Sequence, residues 1–196
     1  MARSDEDLVA ACLGGEESAF EVLVGRWDRK IRGAIYRIVG SEEEARDLCQ
    51  EAFIKAYRHL GSFKQEARFS SWLYQIALNL SRDRLRRRKL RATVSLDELD
   101  EGGHAMMESG PSPFDVLEGR DLSRRVAAAV AALPEEQREV IVLKEYQGLT
   151  FLEVATVLDV PISTVKTRLY RGLVLLRGRL EREGIKGAAP VPATTP

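Results

Sequence analysis

The sequence is poor in the residues that build covalent or metal-held scaffolds. It has two cysteines, Cys12 and Cys49, and two histidines, His59 and His104. The cysteines are far apart and have no CxxC partner, so neither a disulfide framework nor a thiol-rich metal site is suggested, and both read as small apolar residues for burial. Carboxylates are plentiful but match no His/Asp/Glu ligand spacing, so no metal, no cofactor and no catalytic residue is expected. Long apolar runs are missing too. Nothing nears the roughly 18 residues that a membrane span needs, and the acidic start MARSDEDL has no apolar stretch behind it. A reduced, cytoplasmic protein is the expectation. An excess of one charge is also lacking: 30 basic residues face 30 acidic ones, which argues against a protein that coats nucleic acid indiscriminately.

What is present is charge in blocks. From Ser81 to Ala92 the string SRDRLRRRKLRA carries seven cations and one anion, Asp83. From Thr93 to Asp121 eight carboxylates face Arg120 alone. Cations return at Lys166, Arg168, Arg171, Arg177, Arg179 and Arg182. Two basic patches thus flank an acidic connector.

With 196 residues and 44% apolar composition, the chain can hold two small cores. The periodicity is helical throughout, with apolar residues recurring at three and four rather than at two. One stripe is Phe20, Leu23, Trp27, Ile31, Ile35 and Ile38, ending near Gly40. Ser41 and Glu44 fit a capping box that opens a second helix. Its inner stripe is Ala45, Leu48, Cys49, Ala52, Phe53, Ala56 and Leu60, which leaves Asp47, Gln50, Glu51, Ile54 and Arg58 facing outward, with Gly61 ending it. A third stripe, Phe69, Trp72, Leu73, Ile76, Ala77 and Leu80, runs into the arginine cluster. Residues 92–119 carry Pro111, Pro113, several glycines and no sustained stripe, which marks a linker. Helices resume near Asp121 on Leu122, Val126, Val130 and Leu133, and again from Pro134 to Tyr146. The expectation is an all-α protein of two small helical domains, residues 1–91 and 120–182, joined by a flexible acidic linker, with residues 183–196 as a disordered tail.

The sharpest local signal lies in the second half. Thr150 and Glu153 form another capping box, opening a short helix with Leu152, Ala155 and Leu158 on one face. Asp159-Val160-Pro161 makes a turn, and Ser163 caps a helix whose inner stripe is Val165, Leu169, Leu173 and Leu176. Two short helices meeting through a tight turn make a helix-turn-helix. The second helix of such a unit enters the major groove, so Ser163, Thr164, Lys166, Thr167, Arg168 and Arg171, off the buried stripe near its start, are the candidate DNA contacts. The plainer reading is a solvated basic face on an ordinary helical hairpin; the turn, the two caps and the cations together favour DNA.

These pieces resemble one family in order and wording. GLTFLEVATVLDVPISTVKTRLYRGL, from Gly148 to Leu173, resembles the fourth-region helix-turn-helix of extracytoplasmic-function sigma factors, in the sigma-70 family, which reads the minus-thirty-five promoter element. Asp159 departs from the glycine usual in that turn, but Asp tolerates positive φ better than most residues. ALPEEQREVIVLKEYQ, from Ala132 to Gln147, resembles the helix that helps contact the polymerase β flap. EEARDLCQEAFIKAYRHL, from Glu43 to Leu60, resembles the second-region helix whose D-x-x-Q-E-x-F pattern binds the β′ coiled coil, with Asp47, Gln50, Glu51 and Phe53 at the matching positions. Three of these are the outward residues; Phe53 reads as core. FSSWLYQIALNLSRDRLRRRK, from Phe69 to Lys89, resembles the helix that melts and holds the minus-ten element, with Asn79, Arg82, Asp83 and Arg86 matching. The loop before it, Phe63, Lys64 and on to Arg68, matches the segment that captures a flipped base. An aromatic-bearing loop beside a basic helix suits that task, offering stacking surface and counter-charge, while Trp72, at helical spacing, reads as core.

The resemblance implies a non-enzymatic subunit that docks on core RNA polymerase, recognises both promoter elements and is held inactive by an anti-sigma factor. Two other readings compete. A free-standing helix-turn-helix repressor explains the second half but not the Asp47–Phe53 pattern followed by a basic helix. A nuclease or recombinase with a DNA-targeting tail lacks ligands in its favour.

Overall fold

The computed structural model describes residues 3–63, 68–96 and 120–185. All regular structure among them is helical, in eight α-helices, and none of these is long and apolar enough to cross a membrane. The chain forms two compact units, residues 1–108 and 109–196. Lys64, most of the acidic segment (97–119) and the tail 186–196 lie outside the described residues.

The first unit packs α1 (Asp5–Leu13), α2 (Ser18–Val39), α3 (Glu42–His59) and α4 (Phe69–Leu96) around one core. Helix α1 starts at a reciprocal cap in which the Asp7 amide donates to Ser4 Oγ and the Ser4 amide to Asp7 Oδ2, at 3.0 and 3.1 Å. Its Asp5 accepts from Trp27 Nε1 at 2.9 Å and pairs with Arg26, which ties α1 to α2. The expected α2 stripe is buried except for Trp27, which stays half-exposed with its ring edge-on to Tyr74. Gly40 ends α2 at φ 79°, a left-handed conformation that glycine adopts without Cβ strain. All seven residues of the α3 stripe are buried, and the five expected to face outward are exposed. Burying a large apolar side chain of this kind contributes about 1.5–3 kcal/mol, so this face is what holds α3 to α2 and α4.

Three readings are corrected. Gly61 does not end α3; the helix stops at His59 and tightens into a 3-10 turn, Leu60–Ser62. The α4 stripe is rotated from the expected one: Tyr74, Leu78 and Leu85 are buried, while Trp72 and Ile76 keep part of their surface. The capping box at Ser41 is half-made. Ser41 Oγ accepts from the Glu44 amide at 3.3 Å, but the Glu44 carboxylate reaches α4 instead of back to Ser41.

Cys49 is buried, with its thiol against Asp28. Burial first, and the Asp28 charge second, push that thiol up to about 12. An unfolded thiol titrates near about 8.5, so this contribution to stability is full below that pH and is lost as pH rises toward 12. Cys49→Ala removes the titration. In a pH series of thermal melts it is expected to flatten the alkaline limb; an unchanged limb would mean the thiol is accessible in the folded state.

The second unit packs α5 (Arg120–Ala131), α6 (Glu135–Ile141) and α7 (Phe151–Leu158) against α8 (Ile162–Arg182), with a π turn, Val142–Tyr146, continuing α6. Pro134 precedes the first turn of α6 rather than sitting in it, because its extended ψ of 142° places it at the cap. Leu122 is exposed; Ala129, Val130 and Leu133 are buried. The Thr150–Glu153 capping box is complete, with the Thr150 amide donating to Glu153 Oε2 at 2.7 Å and the Glu153 amide to Thr150 Oγ1 at 3.2 Å. The inner face of α7 is Val154, Ala155, Val157 and Leu158, not Leu152, which is 65% exposed. Ser163 does not cap α8. Pro161 does, its carbonyl accepting the first helical bond from the Val165 amide at 3.1 Å.

Asp159 ends α7 at φ 54°, ψ 51°, the left-handed conformation expected of that turn. Asp159→Gly is expected to be neutral or stabilising by up to about 1 kcal/mol, and Asp159→Val to cost about 1–2 kcal/mol, because a branched Cβ is strained there. Urea denaturation of the two variants checks this; equal midpoints would contradict it.

Candidate functional sites

Three surfaces hold the residues singled out by the sequence. The first is the outer face of α3. Burial of the opposite stripe forces Asp47, Gln50 and Glu51 into solvent, and all three are exposed. Glu51 carries an i,i+4 partner, Lys55, at 3.5 Å. Phe53 lies on the inner side, 7% exposed, with its ring edge-on to Phe20. It therefore supports the face rather than belonging to it. Ile54 and Tyr57, exposed and apolar, adjoin the polar residues and line a shallow groove with Phe20 and Glu17. The helical period leaves Ile54 outward, but nothing in the sequence marks a groove.

The second surface is α4 and the segment leading into it. Asn79 and Arg86 are exposed, Arg82 and Asp83 half-buried, and Arg86 Nη2 donates to Asp83 Oδ1 at 2.7 Å. Arg68 is exposed, and its carbonyl accepts from the Ser71 and Trp72 amides. Phe63 departs from the picture of a ring held out on a loop. It is 9% exposed, with its ring 5.1 Å from that of Trp72 and 6.1 Å from that of Phe69. In this arrangement the half-exposed Trp72 carries the more accessible aromatic surface.

The third surface is the start of α8. Ser163, Lys166, Thr167 and Arg171 are exposed, and Thr164 and Arg168 half-buried. Thr167 Oγ1 donates to the Ser163 carbonyl at 2.9 Å. The Arg168 guanidinium is held by Glu136 of α6 at 2.9 Å, so it ties α8 to α6. Lys144 and Lys166 approach the Phe151 ring at 5.2 and 5.8 Å. Lys144, from the π turn, joins this basic surface without any signal in the local sequence. Among the described residues no group of His, Cys, Asp and Glu could hold a metal ion.

The family model described as Sigma-70 region 2 matches residues 23–91, and that described as Sigma-70, region 4, matches residues 123–176. The chain is 37% identical to the RNA polymerase sigma-H factor of Pseudomonas aeruginosa over 172 residues, covering 85% of this chain and 89% of that protein. It is 37% identical to the ECF RNA polymerase sigma factor SigW of Bacillus subtilis over 170 residues, covering 85% and 91%. Its fold is similar to CnrH in the structure of CnrH in complex with the cytosolic domain of CnrY. The TM-score is 0.69 at 27% identity, covering 92% of this chain and 99% of that one. The sigma factor RpoE, in a co-crystal with the anti-sigma factor NepR from Bartonella quintana, matches at TM-score 0.67 and 23% identity, covering 83% and 96%.

Proposed function

We propose, from the premise that this chain belongs to the sigma-70 family as an extracytoplasmic-function sigma factor, that its two helical units divide promoter recognition between them while both dock on core RNA polymerase. A sigma factor directs promoter-specific transcription initiation, and that is the function of this chain. The exposed Asp47, Gln50 and Glu51, backed by Phe53, dock on the β′ coiled coil. Helix α6 and its π turn lie toward the β flap.

Asn79, Arg82, Asp83 and Arg86, with Phe63, Lys64 and Arg68 before them, engage the minus-ten element. Ser163, Thr164, Lys166, Thr167 and Arg171 engage the minus-thirty-five element, Lys and Arg supplying charge to phosphates and Arg able to take two bonds from a guanine edge. Arg168 joins them only by leaving Glu136. The eight carboxylates between Thr93 and Asp121 match the connector in charge to a basic nucleic-acid path on the polymerase. No step requires a catalytic residue of this chain.

One observation carries this reading: the three polar residues of the D-x-x-Q-E pattern all stand on the one face of α3 that the core leaves in water. Exposure of polar residues alone is common, but here it coincides with a basic helix in the same unit and a helix-turn-helix in the other. CnrH is bound to a cytosolic domain of another protein, and we infer similar regulation here, by an anti-sigma factor that covers the Asp47–Glu51 face or the start of α8, in the cytoplasm where polymerase works.

Because the free chain has no net charge and each unit is small, promoter affinity arises from both units acting together on the enzyme. Footprinting tests this. Protection of both promoter elements only when core polymerase is present is the expected result. Tight protection by the chain alone, as a symmetric dimer, would establish the repressor reading instead.

A further inference from the structure

The seven cations between Ser81 and Ala92 do not share one task. Arg84 and Arg88, one helical turn apart, turn toward α2 and α3. Arg84 Nη1 donates to Glu44 Oε1 at 3.2 Å. Arg88 Nη1 lies 4.0 Å from Glu44 Oε2 and donates to the Val39 carbonyl at 3.3 Å. Val39 is the last residue of α2, where carbonyls lack partners within the helix and carry partial negative charge, so a cation there is doubly favoured. Glu44 is the more shielded member of the cluster, its side chain 23% exposed against 36% for Arg84 and 50% for Arg88.

Glu44 also has a particular place on α3. Residues three and seven positions apart share a helical strip, so Glu44, Asp47 and Glu51 lie along one line. The N-terminal end of the candidate polymerase-docking strip therefore closes onto two arginines of the candidate minus-ten helix. A carboxylate that accepts a hydrogen bond from Arg84 and lies within ion-pair distance of Arg88 is a fixed partner in a partly shielded site, whereas promoter phosphates would have to displace it.

We propose that Glu44 is a positioning residue: with Arg84 and Arg88 it clasps α4 to the polymerase-docking helix, and these two arginines serve the clasp rather than promoter phosphates. The proposal rests on the surface assignment above. It gives the arginine cluster two functions, with Arg82 and Arg86 on the DNA side and Arg84 and Arg88 setting the angle at which that side meets the enzyme. Loss of the clasp then leaves core binding intact and impairs the held, melted promoter.

The test uses holoenzyme assembled from core polymerase and the full chain. On one promoter it compares wild type, Glu44→Gln, Arg88→Gln, the Arg84→Gln/Arg88→Gln pair and the triple variant. The readouts are core affinity, the open-complex half-life, and the slope of log affinity against log salt. Arg88→Gln, at a half-exposed position, keeps the test alive should the pair unfold.

The expected result has three parts. Core affinity is unchanged, and the half-life is several-fold shorter in Glu44→Gln and in the arginine variants, with the triple variant no worse than Glu44→Gln. The salt slope of the arginine variants stays that of wild type. A slope shallower by about 0.9 for each arginine removed, with half-life losses that multiply in the triple variant, would place both guanidiniums on phosphates and overturn the proposal. Failure of the underlying reading shows separately, as wild-type chain that confers no promoter binding on core.

Discussion

Joint replacement of Gln50 and Glu51 by alanine is expected to weaken assembly with core polymerase about 100-fold, the loss of about 3 kcal/mol expected when two central polar contacts of an interface are truncated. The same variant should melt like wild type. Both side chains are exposed, alanine is at least as good a helix former, and the Glu51–Lys55 pair that the change removes is worth about 0.3–0.5 kcal/mol. Titration of labelled chain into core polymerase, beside a thermal melt, separates the two effects. Unchanged assembly would remove the outer face of α3 from the docking surface. A lowered melting temperature would show that these residues hold the fold.

A second large effect is expected at Gly172, in the middle of α8. A Cβ built there meets Ile141 Cδ1 at 2.9 Å and Gln137 Cβ at 3.2 Å, so α6 and α8 approach through the missing side chain. Alanine gains up to about 1 kcal/mol of helix propensity, but it must move the Ile141 methyl and press on Gln137 Cβ, for a net change within about 1 kcal/mol. Leucine cannot be accommodated by rotating one methyl. Gly172→Leu should cost about 3 kcal/mol, and in a unit this small that lowers its melting point by roughly 15 °C. The recognition helix loses its support, so binding at the minus-thirty-five element goes with it, while core assembly through α3, in the other unit, survives. Equal stability of the leucine and alanine variants would contradict the close approach.

Helix α3 shows how much could be read in advance. Eighteen residues of strong period with a Ser cap leave one register, and every inward and outward residue follows from it. Helix α7 shows the limit. Its eight residues, FLEVATVL, are apolar on more than one side, so Leu152 and Val154 both fit an inward face and only packing on α8 selects Val154. In α4 the same ambiguity hid Tyr74 behind the more conspicuous Trp72.

The ionic ties were illegible for a different reason. Glu44 meets Arg84 across 40 positions, and Arg168 meets Glu136 across two intervening elements. Local pattern assigned Glu44 to its own cap and Arg168 to DNA, since charge at a helix surface names no partner until the chain is folded. Gly172 was silent too. A glycine inside a helical stripe signals close approach only once the opposing helix is known.

As a sigma factor, this chain confers promoter recognition on RNA polymerase. Run-off transcription from a genomic promoter library, with core polymerase alone and with the chain added, tests it most directly. Specific transcripts that depend on the chain, and disappear with the Gln50→Ala/Glu51→Ala variant, are the expected result. Absence of any chain-dependent transcript, alongside tight promoter binding by the chain alone, would contradict it.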